Sequence, residues 1–184
     1  MHIYEPNLWL IDGVLKGDNV EHSYKYLKDV KNLYEKPYIY DKYSDDTIVY
    51  EVYSYSCGNK KIEGNLYWGI TVMYPMLING ECNMTRGHFH ENKNCAEYYF
   101  GITGEGLLLR MDEGGRCFGE KILPGSLHYI DGKVAHRIIN IGDEMLKVGA
   151  CWPTTAGHDY ASVESMQFPY RICRINGELI IKER

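Results

Sequence analysis

The chain has 184 residues, 45% of them hydrophobic, and a formal net charge of −5. That length suffices for one domain with a sizeable core, the composition excludes a disordered chain, and the charge argues against general binding to nucleic acid or acidic membranes. Six cysteines, at 57, 82, 95, 117, 151 and 173, include no Cys-x-x-Cys pair, which argues against a zinc ribbon or a thioredoxin-type site.

The opening MHIYEPNLWLIDG has no basic region followed by an apolar run, and no stretch is long enough to span a bilayer. A cytoplasmic protein with reduced thiols is expected. Residues 1–46 form an extension in which GDNVEHSYKYLKDVKNLY reads as one helix, capped at Asp18 or Asn19, with Tyr24, Leu27, Val30 and Leu33 on one side. Pro37 and YDKYSDD then read as a loop.

From residue 47 onward the chain becomes a run of short segments rich in Ile, Val, Tyr, Phe and Trp, broken by Gly, Pro, Asn and Asp. This texture predicts an all-β sandwich or barrel. Gly104-Glu105-Gly106 and Gly142-Asp143 read as hairpin turns. Asn176-Gly177, between two alternating segments, predicts a type I′ hairpin. With no linker or repeat, residues 1–184 are expected to form a single domain: an extension over about 1–46 and a jelly-roll barrel over about 47–184.

Strand alternation points His88 and His90 of GHFH to the same face. A His-x-His pair alone is weak, because seven histidines in this length produce one by chance in roughly one chain in four. Its company makes it specific: Glu97 follows seven residues after His90 and Gly104 seven after that, with Pro124-Gly125, His136 and Asn140 further on. Three imidazoles and one carboxylate from separate β segments would leave open positions on an octahedral metal, as a catalytic or ligand-binding site requires. His2 and His22 receive no role, and His128 reads as structural or exposed. Met73, Met76 and Met84 read as packing.

These residues resemble the two cupin motifs and, more narrowly, the cupin-type glucose-6-phosphate isomerases of archaea and some bacteria. The resemblance runs from about Trp68 to about Tyr160, through GITVMYP, MTRGHFHENKNCAEYYFGITGEGLLL, LPGS, VAHRIINIGDE and TTAGHDY. It implies a double-stranded β-helix (cupin) barrel that interconverts glucose 6-phosphate and fructose 6-phosphate. It also implies a homodimer with a divalent metal, commonly iron, on His88, His90, Glu97 and His136; Mn2+, Zn2+ and Ni2+ are alternatives. Thr71, Thr85, Gly87 and Tyr99 match the family's phosphate-binding set, and His158 and Tyr160 match pocket positions. The sequence departs from the family at Trp152, where relatives usually carry Tyr.

The chemistry places Glu97 as base and His158 as a proton-transfer group in ring opening. Either an enediol route or a hydride shift from C2 to C1 fits the residues. Arg86 is either a phosphate partner or a solvated surface residue. The absence of a Gly-rich phosphate loop predicts no nucleotide cofactor. Competing readings are a mannose 6-phosphate isomerase, a non-catalytic sugar-phosphate-binding cupin and a cupin dioxygenase, the last disfavoured by the hydroxyl-rich pocket.

Overall fold

The computed structural model describes residues 1–36, 42–58 and 61–184. The chain opens with a hairpin of β1 (Leu8–Ile11) and β2 (Val14–Gly17), closed by Asp12 and Gly13 at φ 53° and 69°. Then come β3 (Glu21–Tyr26), α1 (Leu27–Val30) and a 3₁₀ turn over Lys31–Leu33. The single helix expected from residue 18 onward is corrected here. Only its second half is helical, with Leu27 and Val30 buried. Residues 21–26 instead pair with the next strand, Tyr24 opposite Glu51, and Asn19 sits at a left-handed turn of φ 63°. The helix is capped from Tyr26, whose N–H donates to Asp29 Oδ2 at 3.0 Å. The reason is tertiary: Glu51 accepts from His22, Tyr53 and Tyr74, and His22 stacks on Tyr53 at 3.9 Å, so β3 gains side-chain partners that a helix would forgo. Of the loop expected after Pro37, residues 37–41 lie outside the described ones; Ser44 to Thr47 form a turn.

The remaining strands are β4 (Ile48–Ser56), β5 (Leu66–Met73), β6 (Leu77–Ile78), β7 (Glu81–Cys82), β8 (Glu97–Thr103), β9 (Gly106–Met111), β10 (Cys117–Ile122), β11 (Leu127–Ile130), β12 (Ala135–Asn140) and β13 (Leu146–Pro153). Helix α2 (Tyr160–Met166) precedes β14 (Tyr170–Ile175) and β15 (Glu178–Glu183). A six-stranded antiparallel sheet, β11-β8-β13-β5-β4-β3, and a three-stranded one, β10-β9-β12, form the two walls of a jelly roll. One core draws on both: Val49, Tyr50, Met73 and Val148 from the first, Leu108, Met111, Ile122 and Ile138 from the second. A small sheet, β15-β14-β7-β6, adds Ile172 and Cys82 to that core. Met73, Met76 and Met84 are buried, as expected, and the six cysteines are free.

Asn176-Gly177 closes the β14–β15 hairpin with φ 52° and 84°, as a type I′ turn requires. The other two expected hairpins are corrected. Gly104–Gly106 joins β8 of the six-stranded sheet to β9 of the three-stranded one, and Gly142-Asp143 joins β12 back to β13. Both are barrel corners, and they pack against each other: a Cβ on Gly104 (φ +77°) would lie 2.7 Å from the Met145 carbonyl oxygen.

Candidate metal centre and substrate pocket

Four side chains converge inside the barrel. Residues 84–89 run beside β12, joined by Thr85 N–H to Ile138 O (2.9 Å), His88 N–H to His136 O (3.2 Å) and His136 N–H to His88 O (3.0 Å). His88 and His90 therefore project to one side while Phe89 is buried on the other, as alternation predicts, although this stretch is an isolated bridge and not a regular strand. Gly87, at φ +76°, shifts the alternation so that Thr85 and His88, three residues apart, both border the cavity. Glu97 opens β8 in the opposite sheet, and His136 lies on β12.

One ligand atom each from His88, His90, Glu97 and His136 lies within 4.8 Å of the others, a set able to hold a metal ion. The donor chemistry fits a divalent cation. His90 Nδ1 donates to the Cys95 carbonyl at 2.6 Å, and His136 Nδ1 faces the Val134 carbonyl at 3.4 Å. Carbonyls only accept, so in both rings Nδ1 donates to the backbone and Nε2 faces Glu97, bare in the neutral ring that can ligate a cation and protonated in the imidazolium that pairs with the carboxylate. His136 Nε2 lies 2.5 Å and His90 Nε2 3.4 Å from Glu97 Oε1. Yet Glu97 Oε1 and His136 Nε2 are buried without a directed hydrogen bond, two acceptors left facing a common point. Such groups are costly unless something satisfies them, and a cation between them would.

The electrostatics agree. Burial alone would raise the carboxyl pKa of Glu97, but the imidazoles of His136 and His90 outweigh it and hold the group well below the usual carboxylate range. Burial and the neighbouring His136 and His158 keep His88 neutral, its pKa lowered well below the usual imidazole value. A neutral imidazole is the ligating form. In His90, burial lowers the pKa, but contact with Glu97 reverses this and raises it.

The cluster opens onto a cavity of about 530 Å³. Thr71, Thr85, Gly87 and Tyr99 border it, as do Trp152, His158 and Tyr160, so every pocket residue singled out in the sequence meets there. Thr85 Oγ1 accepts the Ile138 N–H at 3.0 Å, leaving its own proton free to donate into the cavity. His158 stands beside the metal cluster, its ring 4.4 Å edge-on from His88 and stacked on Tyr160 at 5.7 Å. Burial lowers its pKa. Trp152 stacks on Tyr67 at 5.0 Å, and its indole fills the space over Gly69, where a Cβ would lie 2.7 Å away.

Arg86 borders the cavity mouth, but its guanidinium donates to Glu164 of α2 at 2.5 and 3.0 Å and lies 4.2 Å over the Tyr160 ring. It is thus a surface residue anchored to the helix. The sequence reading missed the Tyr67–Gly69–Trp152 packing and the Arg86–Tyr160–Glu164 cluster; a glycine opposite a large aromatic was the available signal for the first. His128 lies elsewhere, buried and bonded to Ser126 Oγ at 2.8 Å, which fits the structural of its two expected readings and not the exposed one.

A family model described as glucose-6-phosphate isomerase matches residues 24–180. The glucose-6-phosphate isomerase of Thermococcus litoralis is 35% identical over 169 residues, 90% of this chain and 87% of that one. That of Sinorhizobium medicae is 34% identical over 116 residues, 63% of this chain and 53% of that one. Among solved structures, oxalate decarboxylase from Bacillus subtilis is similar at 21% identity and a TM-score of 0.47, over 60% of this chain and 26% of that one.

Proposed function

The chain belongs to the glucose-6-phosphate isomerase family, and on that premise we propose that it interconverts glucose 6-phosphate and fructose 6-phosphate at a divalent metal held by His88, His90, Glu97 and His136. The observation that carries this reading is the buried cluster of three imidazoles and a carboxylate at the floor of a hydroxyl-lined cavity. Iron is the first candidate, with manganese, zinc or nickel as alternatives; no nucleotide takes part. We further propose that residues 1–184 act as one cupin domain, and that the protein is a cytoplasmic homodimer.

A bound divalent cation would supply Lewis acidity to the oxygens on C1 and C2. The residues supply the rest. Thr71, Thr85, Tyr99 and the backbone at Gly87 hold the phosphate, fixing C1 and C2 over the metal cluster. Tyr99 stays protonated as a donor, because burial raises its pKa well above the usual phenol value. His158 exchanges a proton with the ring oxygen: neutral at pH 7 through its lowered pKa, it takes the hydroxyl proton as the ring closes, and its imidazolium returns that proton as the ring carbon–oxygen bond breaks on opening. Glu97 accepts the C2 proton and returns it to C1, while the hydroxyl proton on O2 passes to O1, so that C1 becomes the alcohol and C2 the carbonyl. Its depressed proton affinity makes it a weak base, which is the reason a direct hydride shift stands as the second route. Solvent deuterium in the product would select the enediol route, and its absence the hydride shift. Trp152 in place of the usual Tyr contributes an indole N–H or an apolar face to the sugar end.

The test is conversion of fructose 6-phosphate by chelator-treated protein, before and after Fe2+ or Mn2+ is added back. Activity restored by metal is expected. Robust turnover by verified metal-free protein would remove the metal from the chemistry. No turnover with any metal would shift the reading to mannose 6-phosphate or to non-catalytic binding.

A further inference from the structure

The phosphate cage proposed above consists of hydroxyls and backbone, and Arg86, its sequence neighbour, is committed to Glu164. A second arginine stands directly behind the cage. On β12, His136 and Ile138 border the cavity, so alternation turns Arg137 to the far side, where it is 5% exposed. Its Nη2 donates to the Arg86 carbonyl at 2.8 Å and its Nη1 to Met84 Sδ at 3.2 Å, while the guanidinium lies 4.3 Å over the Phe168 ring. Its Nε is buried without a partner. Among the described residues none of these contacts is a carboxylate. A guanidinium stays charged at neutral pH. A buried cation with no carboxylate partner among the described residues is costly.

Its position offers an explanation. In a trans peptide the carbonyl and the following N–H point in opposite directions. Arg137 fixes the Arg86 carbonyl away from the cavity, so the Gly87 N–H of the same peptide is aimed toward it. Gly87 permits the approach: a Cβ there would lie 3.1 Å from Arg137 Nε, from Arg137 Cβ and from Phe168 Cε2. The flanking Thr85 and His88 N–H groups are already paired with β12, at 2.9 and 3.2 Å.

We infer that Arg137 is a positioning residue for the anionic end of the substrate, orienting the Arg86–Gly87 peptide and placing behind it a positive charge that has no carboxylate partner among the described residues. This inference rests on the phosphate subsite proposed above. Substrate binding supplies the missing counter-charge without direct contact, through the peptide that Arg137 holds.

The test compares Arg137→Met, Arg137→Lys and Thr85→Ala, each metal-loaded, with the unmodified protein. The readouts are kcat, KM for fructose 6-phosphate, the competitive inhibition constant for inorganic phosphate, and metal content. Arg137→Met is expected to raise KM and the phosphate constant together by about ten- to a hundredfold, with kcat within about threefold and metal content unchanged. Arg137→Lys, which keeps the charge but not the planar fork, should raise both by about threefold to tenfold. Unmoved constants in a folded Arg137→Met overturn the inference, as does a loss of kcat alone. Should Arg137→Met fail to fold, Arg137→Lys carries the test, and unaltered constants there overturn it. Thr85→Ala separates the two claims. If it raises both constants while the Arg137 variants do not, only the role of Arg137 falls; if none of the three moves them, the phosphate subsite itself is misplaced.

Discussion

Glu97 combines two demands that pull against each other. It is 4% exposed, so desolvation favours its neutral form, yet imidazoles on two sides hold it ionised. An ionised carboxylate can serve both as metal ligand and as proton acceptor, and only substitution separates the roles. Glu97→Gln keeps the size and one oxygen donor but cannot take a proton. It is expected to lower kcat by at least about a hundredfold while losing far less bound metal, measured by elemental analysis beside steady-state rates. Intact turnover in Glu97→Gln would remove this residue from the base role. The clustering of His88, His90, Glu97 and His136 was readable in the sequence because their spacing is tied to strand alternation. The side chains behind it were not: Arg137 was hidden because its role depends on the left-handed turn at Gly87, which breaks the simple alternation from which inward and outward positions are read.

At the level of elements, local chemistry and long-range pairing were unequally legible. Asn176-Gly177 specifies its own turn, and the structure has it. Gly104-Glu105-Gly106 looks like a hairpin in sequence, but which strand pairs with β8 is decided by β11 and β13, far away along the chain. The same holds for residues 21–26, whose strand state depends on β4. The corner reading carries a test that a hairpin reading would not. Gly104 has φ +77° and its virtual Cβ meets backbone at 2.7 Å, whereas Gly125 has φ +86° with nothing within 4 Å. Both pay the left-handed penalty on substitution by alanine, on the order of 1–2 kcal/mol, but only Gly104→Ala must also displace the β12–β13 corner. Thermal unfolding should show Gly104→Ala melting several degrees below Gly125→Ala, roughly 2–4 °C for each further kcal/mol. Equal midpoints would mean that the two corners do not bear on each other as described.

Across the whole molecule, the four clustered side chains connect parts of the fold that are otherwise joined mainly by apolar packing. Glu97 belongs to the six-stranded sheet, His136 to the three-stranded one, and His88 and His90 to the segment between β7 and β8. A cation held by all four would therefore cross-link the two walls of the barrel, and its binding free energy would add to the free energy of folding. At a free metal concentration one hundred times the dissociation constant, linkage gives about 2.7 kcal/mol, or roughly 5–10 °C in the midpoint for a chain of this size. Titrating chelated protein with Mn2+ should raise the midpoint continuously with metal concentration, and His136→Ala, which removes the three-stranded sheet's only ligand in the cluster, should abolish most of that rise. The variant's own stability in chelator sets the baseline, so a loss of packing at residue 136 is not mistaken for a loss of linkage. A midpoint that ignores metal in the unmodified protein would show that the cluster does not join the two walls through a cation, whatever the enzyme's activity.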